Sequence, residues 1–174
     1  MANTYTLISS NVLASAAASV TFSAIPATYT DLILRWSGRT TAGSGAGYNA
    51  LIQFNGDTAI NYSYRNIFNT SSTAVGSFSA ADETSARSTG SINSAANTAN
   101  TFSSVEIYIP NYTLSNNKPL SIDSATEDNS TSFTRSVMAD LWRNSAAINQ
   151  ITITPAASSL QIGSSFYLYG IKKS

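Results

Sequence analysis

An antiparallel β-sandwich is the fold the sequence predicts. Three observations predict it: apolar residues alternate with period two in run after run, turn residues separate the runs, and helix-forming stretches are few and short. Within that class, long connections in the first half favour a jelly roll over an up-and-down barrel. The expectation is a single domain over residues 1–174 with about ten strands, and an immunoglobulin-like sandwich as the alternative.

The elements follow in chain order. Residues 4–8 and 19–23 are short strand candidates, joined by an Ala-rich stretch, 11–19, too short for a stable isolated helix and read as a turn. Leu32, Leu34 and Trp36 alternate with Ile33 and Arg35, and Tyr48, Ala50, Ile52 and Phe54 alternate with Asn49, Leu51 and Gln53. Between these two runs, the glycine-rich segment Gly38–Gly47 reads as a mobile loop. Asn55-Gly56 then signals a type I′ hairpin, whose two central residues both need positive φ.

Residues 60–68, 74–78 and 86–92 are softer strand candidates. The Ser/Thr/Ala/Asn-rich stretch 69–101 is too long for a structureless loop, so two short edge strands are expected inside it. Val105, Ile107 and Ile109 share one face, and Leu120 and Ile122 follow. The polar residues 123–132 read as a turn. Val137, Ala139 and Leu141 are expected inside, with Met138, Asp140 and Trp142 opposite. A helical turn over 143–148 precedes the last alternating runs, at Ile151–Ile153 and Phe166–Leu168. The expected core is Leu34, Ile52, Phe54, Ile107, Ile109, Ile122, Leu141, Ile153 and Leu168. All four prolines lie at the edges of runs, where no ladder N–H is lost.

Composition restricts function more than it reveals it. Nine Lys+Arg balance nine Asp+Glu, so clustered phosphate contacts are not expected, and neither is nucleic acid as a partner. There is no Cys and no His, which removes thiol nucleophiles, Ser-His-Asp triads, and Cys or His metal sites. Ser, Thr and Asn make up 66 of the 174 residues, a low-charge surface chemistry that favours association. The 18 aromatic residues argue against disorder. Residues Met1–Ile8 carry no basic, signal-like region, and no run reaches the length of a membrane helix, so no membrane partner is expected. The N-x-[ST] triplets at Asn61, Asn69, Asn111 and Asn129 are read as chance.

Carboxylates are the remaining candidate catalysts. Glu106 and Asp140 lie mid-strand and could meet across a sheet surface, as glycosidase carboxylates must. Solvated or ion-paired acids are the expectation, with no enzymatic activity. Asp123, Glu127, Asp128 and Asn129 offer oxygen ligands, but without EF-hand spacing, and no metal is assigned. Gly43–Gly47 lacks the lysine of a phosphate loop, so no cofactor is assigned either. Among the tyrosines, Tyr62, Tyr64, Tyr108, Tyr112, Tyr167 and Tyr169 could close the sandwich, anchor an interface or stack on sugars. The candidate partner contacts are Arg39, Tyr48, Tyr62, Tyr64 and Arg65, on or beside the loops, where Tyr and Arg serve as hot spots.

Several runs resemble virion structural proteins of tailed bacteriophages. They are Tyr29–Arg39, Ile52–Asp57, Asn100–Tyr112, Ala139–Arg143 with Ile148–Pro155, and the ending Gly163–Ile171, in which a short alternating stretch closes on Tyr-Gly-Ile. The resemblance implies a jelly-roll capsid decoration or cement protein, made in the host cytoplasm and resident in the virion. Its expected partners are itself, as a homo-trimer, and other virion proteins such as the major capsid protein. The alternative is a tail-fibre, receptor-binding or carbohydrate-binding module with a surface glycan as ligand. A fibre shaft, whether heptads or a repetitive β-region, is not seen in the sequence.

Overall fold

The computed structural model describes residues 4–45, 47–70, 75–129 and 133–172. The described residues form twelve strands and no helix: β1 Tyr5–Val12, β2 Val20–Phe22, β3 Asp31–Ser37, β4 Gly47–Phe54, β5 Tyr62–Thr70, β6 Val75–Glu83, β7 Ala86–Asn93, β8 Ser104–Ile109, β9 Lys118–Thr126, β10 Thr134–Trp142, β11 Ile151–Pro155 and β12 Ser165–Ile171. They make two antiparallel sheets. The larger has eight strands in the order β1-β12-β3-β8-β9-β10-β5-β6, and the smaller has four, β2-β11-β4-β7.

The expected alternation builds the core. Leu34, Ile52, Phe54, Ile107, Ile109, Ile122, Ile153 and Leu168 are all buried, and residues from both sheets join one hydrophobic cluster. Side chains on the inward faces of two sheets interdigitate in this way when the sheets pack face to face. Phe54, Tyr62 and Trp142 stack at one end, with ring centroids 5.3–6.3 Å apart. Lys118 is buried at the start of β9, its ammonium donating to the carbonyls of Leu114 and Asn116.

Four local expectations are corrected. Residues 143–148 are irregular and form no helical turn. Asn55 and Gly56 do have positive φ, 54° and 70°, and Asp57 N–H closes the turn on Phe54 O. The turn makes no hairpin, however, because β4 lies in the smaller sheet and β5 in the larger. The Asn55 side chain is drawn instead to the backbone of Ala147, Asn149 and Gln150, which fixes the crossover. The loop after β3 is pinned rather than mobile at its start: Arg39 and Thr40 are buried, and backbone bonds run from Thr40 N to Asn93 O and from Gln161 N to Arg39 O.

The fourth correction concerns β10. Met138, Asp140 and Trp142 face inward, while Val137 is 52% exposed and Leu141 is only half-buried. The cause lies across the sandwich, in β7. This strand pairs with β4 on one side only, and its other edge turns toward β9 and β10. Inward side chains of the larger sheet satisfy that edge. Asp140 accepts from Arg87 N at 2.7 Å, Met138 Sδ from Thr89 N at 3.3 Å, and Ser124 Oγ donates to Thr89 O at 2.9 Å. A backbone group left unpaired in the interior costs more than burying a small polar side chain that pairs with it. Polar residues are therefore inside because a strand edge is inside.

The segment 69–101 contains two edge strands, as expected, but each is long: β6 has nine residues and β7 eight.

Candidate functional site: the outer face of the larger sheet

The outward side chains of the eight-stranded sheet form continuous cross-strand rows. One row crosses all eight strands: Ser10, Tyr167, Arg35, Glu106, Asp123, Val137, Ile67 and Ser77. Period-two alternation dictates this arrangement, since residues opposite one another in an antiparallel pair share a face.

The face has three zones. At the β1 end, Tyr169, Ile33 and Tyr108 stand side by side on β12, β3 and β8, with Leu7 and Tyr5 beyond them on β1. Tyr5 and Leu7 are each 51% exposed, while Ile33 is covered. Tyr108 donates to Asp31 at 2.9 Å, and burial together with that carboxylate pushes its hydroxyl pKa up. In the middle, Arg35 bonds Glu106 at 2.5 Å and Arg135 pairs with Asp123. The hydrogen bonds that Arg135 donates to Asp123 hold its guanidinium more firmly protonated. A depression of about 510 Å³ lies among Arg35, Ser104, Glu106 and Asp123. At the β6 end, Ile67, Val137 and Val75 are exposed, and a second depression of about 610 Å³ is lined by Arg65, Ile67, Ser79, Val137 and Ala139.

The residues expected as partner contacts divide sharply. Arg39, 4% exposed, points inward and donates to the carbonyls of Ala95, Asn97, Thr98 and Thr101. It holds the loop after β7, and its guanidinium is not presented to a partner. Tyr62 is fully buried; its hydroxyl accepts from Phe54 N and donates to Asp57 O, and burial pushes its pKa up to about 12. Tyr64 is 5% exposed, edge-on to Phe78 and beneath the Arg87 guanidinium. These three side chains close the sandwich. Tyr48 is half-buried and donates to Ser44 O at 2.5 Å, shaping the loop before β4. Arg65 is exposed on the outer face. The aliphatic neighbours of Arg65 escaped the sequence reading because β10 was expected the other way round.

The carboxylates do not converge. Glu106 faces out with Arg35, whereas Asp140 faces in, so the two lie on opposite sides of the sheet. Asp82 bonds Arg143 at 2.5 Å. Asp57 collects donors from Asn61, Trp142, Ala59 and Asn144; partial burial raises its pKa, but these bonds outweigh it and the net shift is downward. Asp123 sits on β9 with Arg135, Asp128 accepts from Asn97 and Thr98, and Glu127 accepts from Asn129 N. The three carboxylates considered for a cation, Asp123, Glu127 and Asp128, are thus directed to different protein partners.

Fold and surface together define an all-β, sandwich-like protein whose larger sheet offers one broad outer face. Comparison with protein-family models, with curated proteins and with solved structures finds no match.

Proposed function

We propose that the chain is a non-enzymatic structural protein of a tailed-phage virion, a jelly-roll capsid decoration that docks through the outer face of its larger sheet. The observation that carries the docking reading is that both depressions and the exposed Ile67–Val137 pair lie on that one face. Four of its charged groups there, Arg35 with Glu106 and Arg135 with Asp123, already neutralise one another, and Arg65 stands exposed beside the apolar pair. Shape and apolar contact are then available for docking with little charge to desolvate.

The jelly-roll reading is supported by the strand order. Within the larger sheet β1-β12-β3-β8 run together, and the smaller sheet is β2-β11-β4-β7. First pairs with last, and second with next-to-last, which is how a long hairpin wraps into two four-stranded sheets. The pairs β5–β6 and β9–β10 then extend one sheet. The virion reading itself rests on the sequence resemblance.

Co-sedimentation of the purified chain with heads of the encoding phage tests the proposal. Arg65→Ala should weaken attachment by about 1–2 kcal/mol and leave the melting temperature unchanged. Attachment unchanged by Arg65→Ala and by Val137→Ser would remove the outer face as the docking surface.

The tyrosine zone favours a second reading, a glycan-binding module. Tyr108 and Tyr169 flank Ile33 on adjacent strands and stay partly exposed. Binding of host-surface polysaccharide that is lost in Tyr169→Ala and kept in Arg65→Ala would favour it.

A further inference from the structure

The larger sheet ends at β6, and that edge differs from every other edge of the fold. β7 is closed by Asp140, Met138 and Ser124. β2 is three residues long, and β1 is interrupted by a register shift between Leu7 and Ser9. β6 runs for nine residues, Val75-Gly-Ser-Phe-Ser-Ala-Ala-Asp-Glu83, and its register shift comes only near its end, beside Tyr62 and Tyr64. It holds no Lys, Arg or Pro, the residues that usually guard an edge. Among the described residues, no backbone–backbone bond outside the strand ladders reaches it. From Val75 to Ala81 its side chains alternate between exposed and half-buried.

We infer that β6 is a self-association edge, pairing antiparallel with β6 of a second copy about a two-fold axis near Ser79. The occupant follows from the sequence of the strand. About Ser79, Phe78 meets Ala80 of the second copy and Ser77 meets Ala81; beyond these, the bulge before Glu83, with Asp82 at φ 60°, takes the acidic end out of the regular ladder. No like charges oppose each other, and the Asp82–Glu83 pairs of the two copies lie at opposite ends of the joint. Asp82 and Glu83 are already engaged within their own chain, with Arg143 and Arg87. On the outer face the centre is Ser77, Ser79 and Ala81, small side chains that let two backbones approach to ladder distance. The regular part of the pair, Ser77–Ala81 of each copy, adds about four to six backbone hydrogen bonds. It also sets the exposed Ile67 and Val137 bands of the two copies on one continuous outer face, with Val75 of each copy at opposite ends of the joint. An edge that complements itself gives a closed two-fold dimer, the commonest symmetry, and not the three-fold assembly expected from the resemblance. The inference goes beyond the docking proposal and holds whether or not the chain attaches to a particle.

Sedimentation velocity of the purified full chain over a concentration series tests it, without any particle present. A monomer–dimer equilibrium is expected. Ser79→Lys sets two ammonium groups opposite each other at the axis and should weaken dimerisation about tenfold or more, with Ser77→Lys acting in the same direction. Ser121→Lys, an exposed position on β9 in the middle of the sheet, should leave it unchanged. Circular dichroism should show all three variants folded. A monomer at every concentration, a trimer, or equal weakening by Ser121→Lys and both β6 variants would overturn the inference.

Discussion

β6 and β7 are consecutive strands cut from one Ser/Thr/Ala-rich stretch, both at the end of a sheet, yet they meet opposite fates. β7 lies inside: six of its eight residues are buried, and inward side chains of β9 and β10 satisfy its unpaired edge. β6 lies outside, and none of its residues is buried. An edge enclosed by the fold forces polar residues into the core opposite it. An edge left in solvent makes no such demand on its neighbours and remains open to another chain.

The glycines of the two strands give the sharpest way to break this contrast. Gly90 in β7 has φ +55°, and a Cβ there would stand 2.4 Å from Thr134 Cγ2. Gly76 in β6 would place its Cβ 2.5 Å from Cζ of Phe68, the far end of a ring that can turn aside. Gly90→Ala should therefore cost roughly 2–4 kcal/mol in urea unfolding, from backbone strain and overpacking together. Gly76→Ala should cost less than about 1 kcal/mol. Equal costs would mean that β7 is no more constrained than β6.

The anchor of the loop after β7 comes next. Arg39→Ala removes the donor to four carbonyls between Ala95 and Thr101 and should cost roughly 2–3 kcal/mol. Hydrogen exchange should accelerate in residues 95–101 and stay unchanged in β6. Acceleration spread evenly over the chain would show that Arg39 supports the whole fold and not this loop.

A pH effect of a few kcal/mol should distinguish the two edges as well. Burial raises the Asp140 pKa from 3.8 to about 7, against the opposing bond from Arg87 N and the Arg87 charge. The groups facing it are Arg87 on β7, itself 3.9 Å from Glu83, and Tyr64 on β5. The folded state holds the proton through a range in which the unfolded chain has released it. Stability is therefore highest below about pH 4 as far as this group is concerned, and it falls as pH rises toward 7, then levels off. Asp140→Asn keeps an acceptor for Arg87 N and should abolish that slope in thermal melts between pH 4 and 8. A slope that survives the substitution would assign it to other groups.

Much of the fold was legible in the sequence. The alternation at Leu32–Trp36, Ala50–Phe54, Val105–Ile109 and Ile151–Ile153 marks strands and their buried faces, since a two-residue period leaves one choice of face whenever one side is apolar and the other polar. Asn55-Gly56 fixed a turn with two positive φ values. Of the candidate contacts, Arg65 alone is both exposed and on the outer face, because exposure of a Tyr or an Arg depends on what packs over it and not on its type. The sequence by itself determined the all-β class, the position of most strands and the low-charge surface, all of which follow from local pattern and composition. Only the tertiary structure decided which way β10 faces and that Asn55-Gly56 joins two sheets. It alone also gave β7 a closed edge and β6 an open one. These depend on which strand lies across the sandwich, and a distant backbone edge with amides to satisfy outweighs the local preference of Val137 and Leu141 for the interior.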